Sequence, residues 1–198
     1  NNKKYMILDT ETTGIPLKNS EYIGELAPYY EVEKYDNARM IQLCWAIYDN
    51  GKLIEIENYI IKPNGFKIDN SHIHGITDEI AKGGSNMNMV LAKFIQDLNK
   101  VKYIVGHNIN FDNNIIMSEL YRNKFFEAIK LYKGKKSICT MKNSMSMKIN
   151  GALKYPSLIN LYKFLFGKEF DGQHNAKFDV LATGEVCNEL MSRGVITL

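Results

Sequence analysis

Apolar positions along the chain fall into short runs with two distinct periods. Tyr5 to Asp9 reads as a short buried strand that runs into the turn Thr12-Thr13-Gly14-Ile15-Pro16. Met40 to Tyr48 and Leu53 to Ile61 are rich in β-branched and aromatic residues, which predicts two more strands. Asp49-Asn50-Gly51 joins them, and Asn-Gly between such runs signals a hairpin. Apolar residues at 87, 90, 91, 94, 95 and 98 predict a helix over Met87 to Leu98. Tyr103 to Val105 and Ser137 to Thr140 read as further strands, and Phe111 to Tyr121 as a helix. Ser157 to Phe166 and Asn175 to Met191 read as the last two helices. Residues 17–38 are polar and acidic without a clear period, and read as a long surface excursion. Hairpin-linked strands come first and alternating α and β elements come after them. That order predicts an α/β fold with a mixed sheet covered by helices.

Composition narrows the class. A chain of 198 residues, 45% hydrophobic and 24% charged, suits one globular domain over residues 1–198. Internal repeats, low-complexity tracts and linker-like stretches are absent from the sequence. No run of eighteen apolar residues occurs, so no transmembrane helix is expected. The first residues lack the apolar core of a secretory signal, and their missing Met suggests a trimmed start. Cys44, Cys139 and Cys187 fit neither a disulfide framework nor a zinc site, so a reducing cytoplasm is the expected setting. Net charge is only +3, but no acid falls between Glu127 and Glu169. Lysines there include Lys130, Lys133, Lys135, Lys136, Lys142, Lys148, Lys154 and Lys163. Such a stretch suits a phosphate backbone or a merely solvated surface, and charge alone does not choose.

Four carboxylates stand where they should not. Asp9 and Glu11 are two residues apart at a strand end, which points both to one face. Like charges there repel and raise a pKa unless a cation sits between them. Asp112 precedes Ile115, Ile116 and Leu120 at helical spacing, so it projects inward from a helix's first turn. Asp179 stands in the same relation to Ala182, Val186 and Leu190. Two inward acids plus a strand-end pair look like a metal cage. His174 lies five residues before Asp179, roughly 140° away on a continuous helix. Both serve one site only if His174 sits in the loop Asp171-Gly172-Gln173 just before that helix. His72, His74 and His107 read as turn or supporting residues, because hard Mg²⁺ favours oxygen ligands.

These motifs make the chain resemble the DEDD 3′–5′ exonucleases of the ribonuclease H-like superfamily, in the branch whose fifth residue is histidine. The residues that carry the likeness are Asp9-Thr10-Glu11-Thr12-Thr13-Gly14, His107-Asn108-Ile109-Asn110-Phe111-Asp112 and His174-Asn175-Ala176-Lys177-Phe178-Asp179. Their order is that of the family, and the likeness spans nearly the whole chain. It implies a ribonuclease H-like sheet of three antiparallel strands followed by parallel ones. It also implies two Mg²⁺ (or Mn²⁺) ions on Asp9, Glu11, Asp112 and Asp179, with His174 as general base. The terminal nucleotide would be walled by Thr12, Thr13 and the segment from His74 through Ile76 to Thr77, with Ile15 and Ile76 wedged against bases and Asn108 holding the strand's sugar–phosphate. The chain departs from the family pattern at Cys139-Thr140, where relatives often carry Asp-Thr. The expected activity is release of nucleoside monophosphates from the 3′ end of DNA, in proofreading or repair. Two alternatives remain open here: an exoribonuclease with the same site, and a module that docks a DNA polymerase in trans.

Overall fold

The computed structural model describes residues 3–198. β1 (Tyr5–Thr12), β2 (Met40–Asp49) and β3 (Lys52–Ile60) form an antiparallel meander. At the β2–β3 turn Asn50 and Gly51 both have positive φ, at 51° and 78°, as a tight primed turn requires. Two short helices, α1 (Ser71–His74) and α2 (Asp78–Lys82), precede the amphipathic α3 (Met87–Leu98). β4 (Tyr103–Gly106) then pairs parallel to β1. After α4 (Ile109–Arg122) and α5 (Phe126–Lys133), β5 (Lys136–Cys139) pairs parallel to β4. α6 (Thr140–Ser144), α7 (Leu158–Phe166) and α8 (Ala176–Ser192) complete the chain. The five strands stand in the order β3-β2-β1-β4-β5, the mixed sheet that the strand pattern predicts.

Strand alternation divides the core in two. Met6 and Leu8 of β1 join Leu43, Trp45 and Ile47 of β2 under α3, α4 and α5. Tyr5 and Ile7 join Cys44, Ala46 and Tyr48 under α7 and α8. α8 sits close against the sheet because residue 184 is glycine. A Cβ there would collide with the Tyr48 hydroxyl. Cys44, Cys139 and Cys187 are buried, unpaired thiols. Among the described residues no helix is long and apolar enough to cross a membrane.

Two expectations need correction. Residues 17–38 are not simply a surface excursion, since Ala27, Tyr35 and Ala38 within them are wholly buried. The Tyr35 hydroxyl donates to the Ala27 carbonyl at 2.6 Å, and Arg122 of α4 donates to the Val32 carbonyl and Asp36. Scattered polar residues hid the few apolar anchors from a reading by periodicity. The fifth strand also ends earlier than its sequence pattern predicts, at Cys139, because Thr140 opens α6.

Candidate active site

The sheet brings β1 and β4 to a common end, and the site is built there. Asp9 and Glu11 continue the Tyr5–Ile7 face of β1, the face covered by α8. Asp112 enters from the first turn of α4 and Asp179 from the first turn of α8. Ile115, Ile116 and Leu120 on α4, and Ala182, Val186 and Leu190 on α8, are all buried. The apolar stripes therefore aim both acids inward, from opposite sides of the sheet. All four line one cavity of about 420 Å³.

Asp112 is 3% exposed, and its Oδ1 accepts from the Thr10 N–H at 3.1 Å and the Thr10 hydroxyl at 2.7 Å. Thr10 thus fixes the carboxylate across the end of β1. Oxygens of Asp9, Glu11 and Asp179 lie within 4.8 Å of one another. Asp9 Oδ2 is enclosed and has no hydrogen-bond partner. Burial, followed by repulsion from Asp112, Asp179 and Glu11, holds the Asp9 carboxyl well above its ordinary range. Burial and then Asp179 and Asp112 push Glu11 up to about 8. Asp112 is raised to about 7 by burial, against the pull of its Thr10 donors. Asp179 is raised to about 7 by burial, against donation from the His174 main-chain N–H and from Asp9. A cluster of oxygens that repel one another around an orphaned buried atom fits a hard divalent cation.

His174 stands where the spacing argument requires it. Its φ of 64° turns the chain before α8, and Asn175 caps the helix by accepting from the Lys177 N–H. The imidazole is exposed at the rim of the cavity that the four acids share.

His107 is half-buried in the lining of the cavity. Its Nε2 donates to the Pro156 carbonyl at 2.9 Å, which leaves Nδ1 to accept from the Thr140 hydroxyl at 2.8 Å. Burial lowers its pKa, which keeps this neutral form. Thr140 therefore fills a supporting role even with Cys139 before it.

The terminal-nucleotide wall needs revision. Asn108 lines the cavity in a left-handed conformation, φ 65°. Ile76 does not. It is 4% exposed and packed with Ile41, Ile68 and Ala81, so it offers no edge to a base. His74 is buried too, its Nδ1 accepting from the Ile76 N–H and its Nε2 facing Asn70, whose amide donates to the Thr12 carbonyl. The imidazole thus ties the 70–76 loop to the end of β1. The Thr12 hydroxyl donates to Gly14 O, and Thr13 N–H and Oγ1 are both taken by Arg39. These groups shape the turn. Ile15 is 72% exposed beside it. Apolar lining comes instead from Phe111, Leu158 and Phe170. Phe111 lies within the His107 to Asp112 motif, whereas nothing in the periodicity marked Phe170.

A family model described as exonuclease, of the RNase T type, matches residues 6–187. A PolC-type DNA polymerase III from Mycoplasmopsis pulmonis is 29% identical over 133 residues, 65% of this chain and 8% of that protein. E. coli exonuclease I in complex with a dT13 oligonucleotide superposes with a TM-score of 0.74 at 20% identity, over 96% of this chain and 41% of that one. Exonuclease X in complex with 5′-overhanging duplex DNA gives 0.63 at 20% identity, over 98% of this chain and 94% of that one. The chain spans less than half the length of the polymerase and of exonuclease I. With a model match over nearly all its length and the ordered acids converged at one sheet end, the chain belongs to the exonuclease family, in its DEDD 3′–5′ group.

Proposed function

We propose that residues 1–198 act as a single divalent-metal-dependent 3′–5′ exonuclease domain that releases nucleoside monophosphates from DNA. The observation that carries this reading is the convergence of Asp9, Glu11, Asp112 and Asp179, with His174 at the rim. Asp9, Glu11 and Asp179 would hold one ion, and Asp112 with Asp9 a second. When bound, the ions supply charge stabilisation for the attacked phosphate and for the departing 3′-oxygen. Asp112 is pre-set for its part by Thr10, so no reorganisation is needed on loading. His174 takes the proton of the attacking water, a role suited to imidazole near neutral pH. Phe111, Leu158 and Phe170 surround the terminal nucleoside and keep bulk water from the reacting phosphate. Asn108 meets its sugar. DNA is favoured over RNA because the matched polymerase is a DNA polymerase and the matched exonucleases carry DNA in their complexes.

End-labelled single-stranded DNA, duplex DNA with a 3′ mismatch, and matched RNA, each with Mg²⁺ or Mn²⁺, test this reading. Mononucleotides should leave the 3′ end of the DNA substrates, and EDTA should stop the reaction. Release from the 5′ end, or full activity in EDTA, overturns the proposal. Faster turnover of RNA than of DNA overturns the substrate assignment alone.

A further inference from the structure

From the start of α6 to the start of α7 the chain forms a strap beside the cavity, pinned at both ends by one imidazole. Thr140, at its start, donates its hydroxyl to His107 Nδ1, and the Pro156 carbonyl, at its end, accepts from His107 Nε2. Between these points Ile149 is buried in the core under α7 and α8. Positive φ at Lys148, Asn150 and Gly151 turns the strap sharply around that anchor. The residues after the turn are unusual for a surface loop. Leu153 is 63% exposed and Tyr155 is 51% exposed, with exposed Lys154 between them and exposed Lys148 at the turn. No acid occurs from residue 128 to residue 168 to neutralise them. Ser157, which already lines the cavity, is two residues beyond Tyr155, at most about 7 Å of extended chain. Tyr155 is itself held extended by the buried Pro156 after it.

We propose that this strap is the platform for the single strand upstream of the terminal nucleotide. A base stacks on Tyr155 against Leu153, and Lys148 and Lys154 meet the adjoining phosphates. Cations interleaved with an exposed ring are what a sequence-independent strand binder needs. Continuity with Ser157 makes a strand leaving the cavity the occupant that fits this surface. The inference rests on the exonuclease reading, yet it concerns binding and can be measured without turnover.

Fluorescent oligodeoxythymidylates of about 4 and about 12 nucleotides, spanning the usual range of strand-binding sites, are the probes. Binding is followed by anisotropy in EDTA, and hydrolysis of the same strands in Mg²⁺. Tyr155→Ala should weaken binding of the longer strand about five-fold or more, with Tyr155→Phe near wild type. Lys148→Gln with Lys154→Gln should lower the salt slope by about 0.7 for each lost contact. In Mg²⁺ these variants should raise KM for the longer strand while kcat holds. Unchanged affinity and slope, or equal loss with Tyr155→Phe, overturns the platform even if wild type degrades DNA. If the variants weaken binding but wild type hydrolyses nothing with any divalent ion, the platform stands and the exonuclease reading fails.

Discussion

Ionising Asp9 beside Glu11, Asp112 and Asp179 costs folding free energy, because each added negative charge meets three others with little water between them. These carboxyls bind protons more tightly in the folded chain, with Glu11 raised to about 8 and Asp112 and Asp179 to about 7, than at the ordinary value of about 4. The folded state therefore carries more protons between about pH 4 and 8, and unfolding free energy falls as pH rises through that window. Their favourable contribution is fully present below about pH 4 and lost as pH passes about 8. Asp9→Asn removes one member. In EDTA at pH 8 it should raise the melting temperature, by about 2–4 °C per kcal/mol of repulsion relieved, and the gain should shrink towards pH 5. Scanning calorimetry in EDTA reads this directly, and a lower melting temperature at pH 8 would mark Asp9 as a structural residue. His174 belongs to a different class, since it is exposed and bonded into no part of the fold by its ring. His174→Ala should lower turnover by about 10² to 10⁴, while calorimetric titration with Mn²⁺ stays unchanged. Near-normal turnover at saturating Mg²⁺ would remove it from the chemistry.

At the scale of elements, the parts legible in the sequence are those with an uninterrupted period. The β2–β3 hairpin, the inward stripes of α4 and α8 and the loop position of His174 all follow from spacing and turn residues. Spacing failed where long-range contacts decide. Ile76 looks available in sequence, yet Ile41 and Ala81 close over it. Thr10 looks like filler between two acids, yet it is the donor pair that aims Asp112. The 17–38 segment has no period because its order comes from α4. Arg39, at its end, makes a bidentate pair with Glu119, whose side chain is wholly buried, at 2.7 and 3.2 Å. Removing one partner leaves a buried charge without compensation, a loss of about 3–5 kcal/mol. Arg39→Leu should therefore lower the denaturation midpoint strongly, and adding Glu119→Leu should restore much of it. If the double variant is no more stable than the single, the pair is not the latch.

The whole molecule is two helical layers on one sheet, and the acids belong to both. Asp112 comes from α4 in the layer shared with α3 and α5, and Asp179 from α8 in the layer shared with α7. β1, carrying Asp9 and Glu11, lies between them in the sheet. A divalent ion bound by this set would therefore join the two layers at the end of the sheet. Ion binding to the folded state alone adds about 2.7 kcal/mol at a hundred times the dissociation constant. The same ion favours the ionised carboxylates, so its effect should grow as pH rises from about 6 to 8, opposite to the trend in EDTA. Mn²⁺ should raise the melting temperature more at pH 8 than at pH 6 and reduce the pH dependence seen without it. Asp112→Asn and Asp179→Asn should each diminish the rise. Together they should lose less than the sum of the single losses if one coupled set of ligands spans the sheet. Strictly additive losses would mean two independent ion sites, one per layer, with Asp9 shared by neither. That outcome would separate the acids thermodynamically even though they line one cavity.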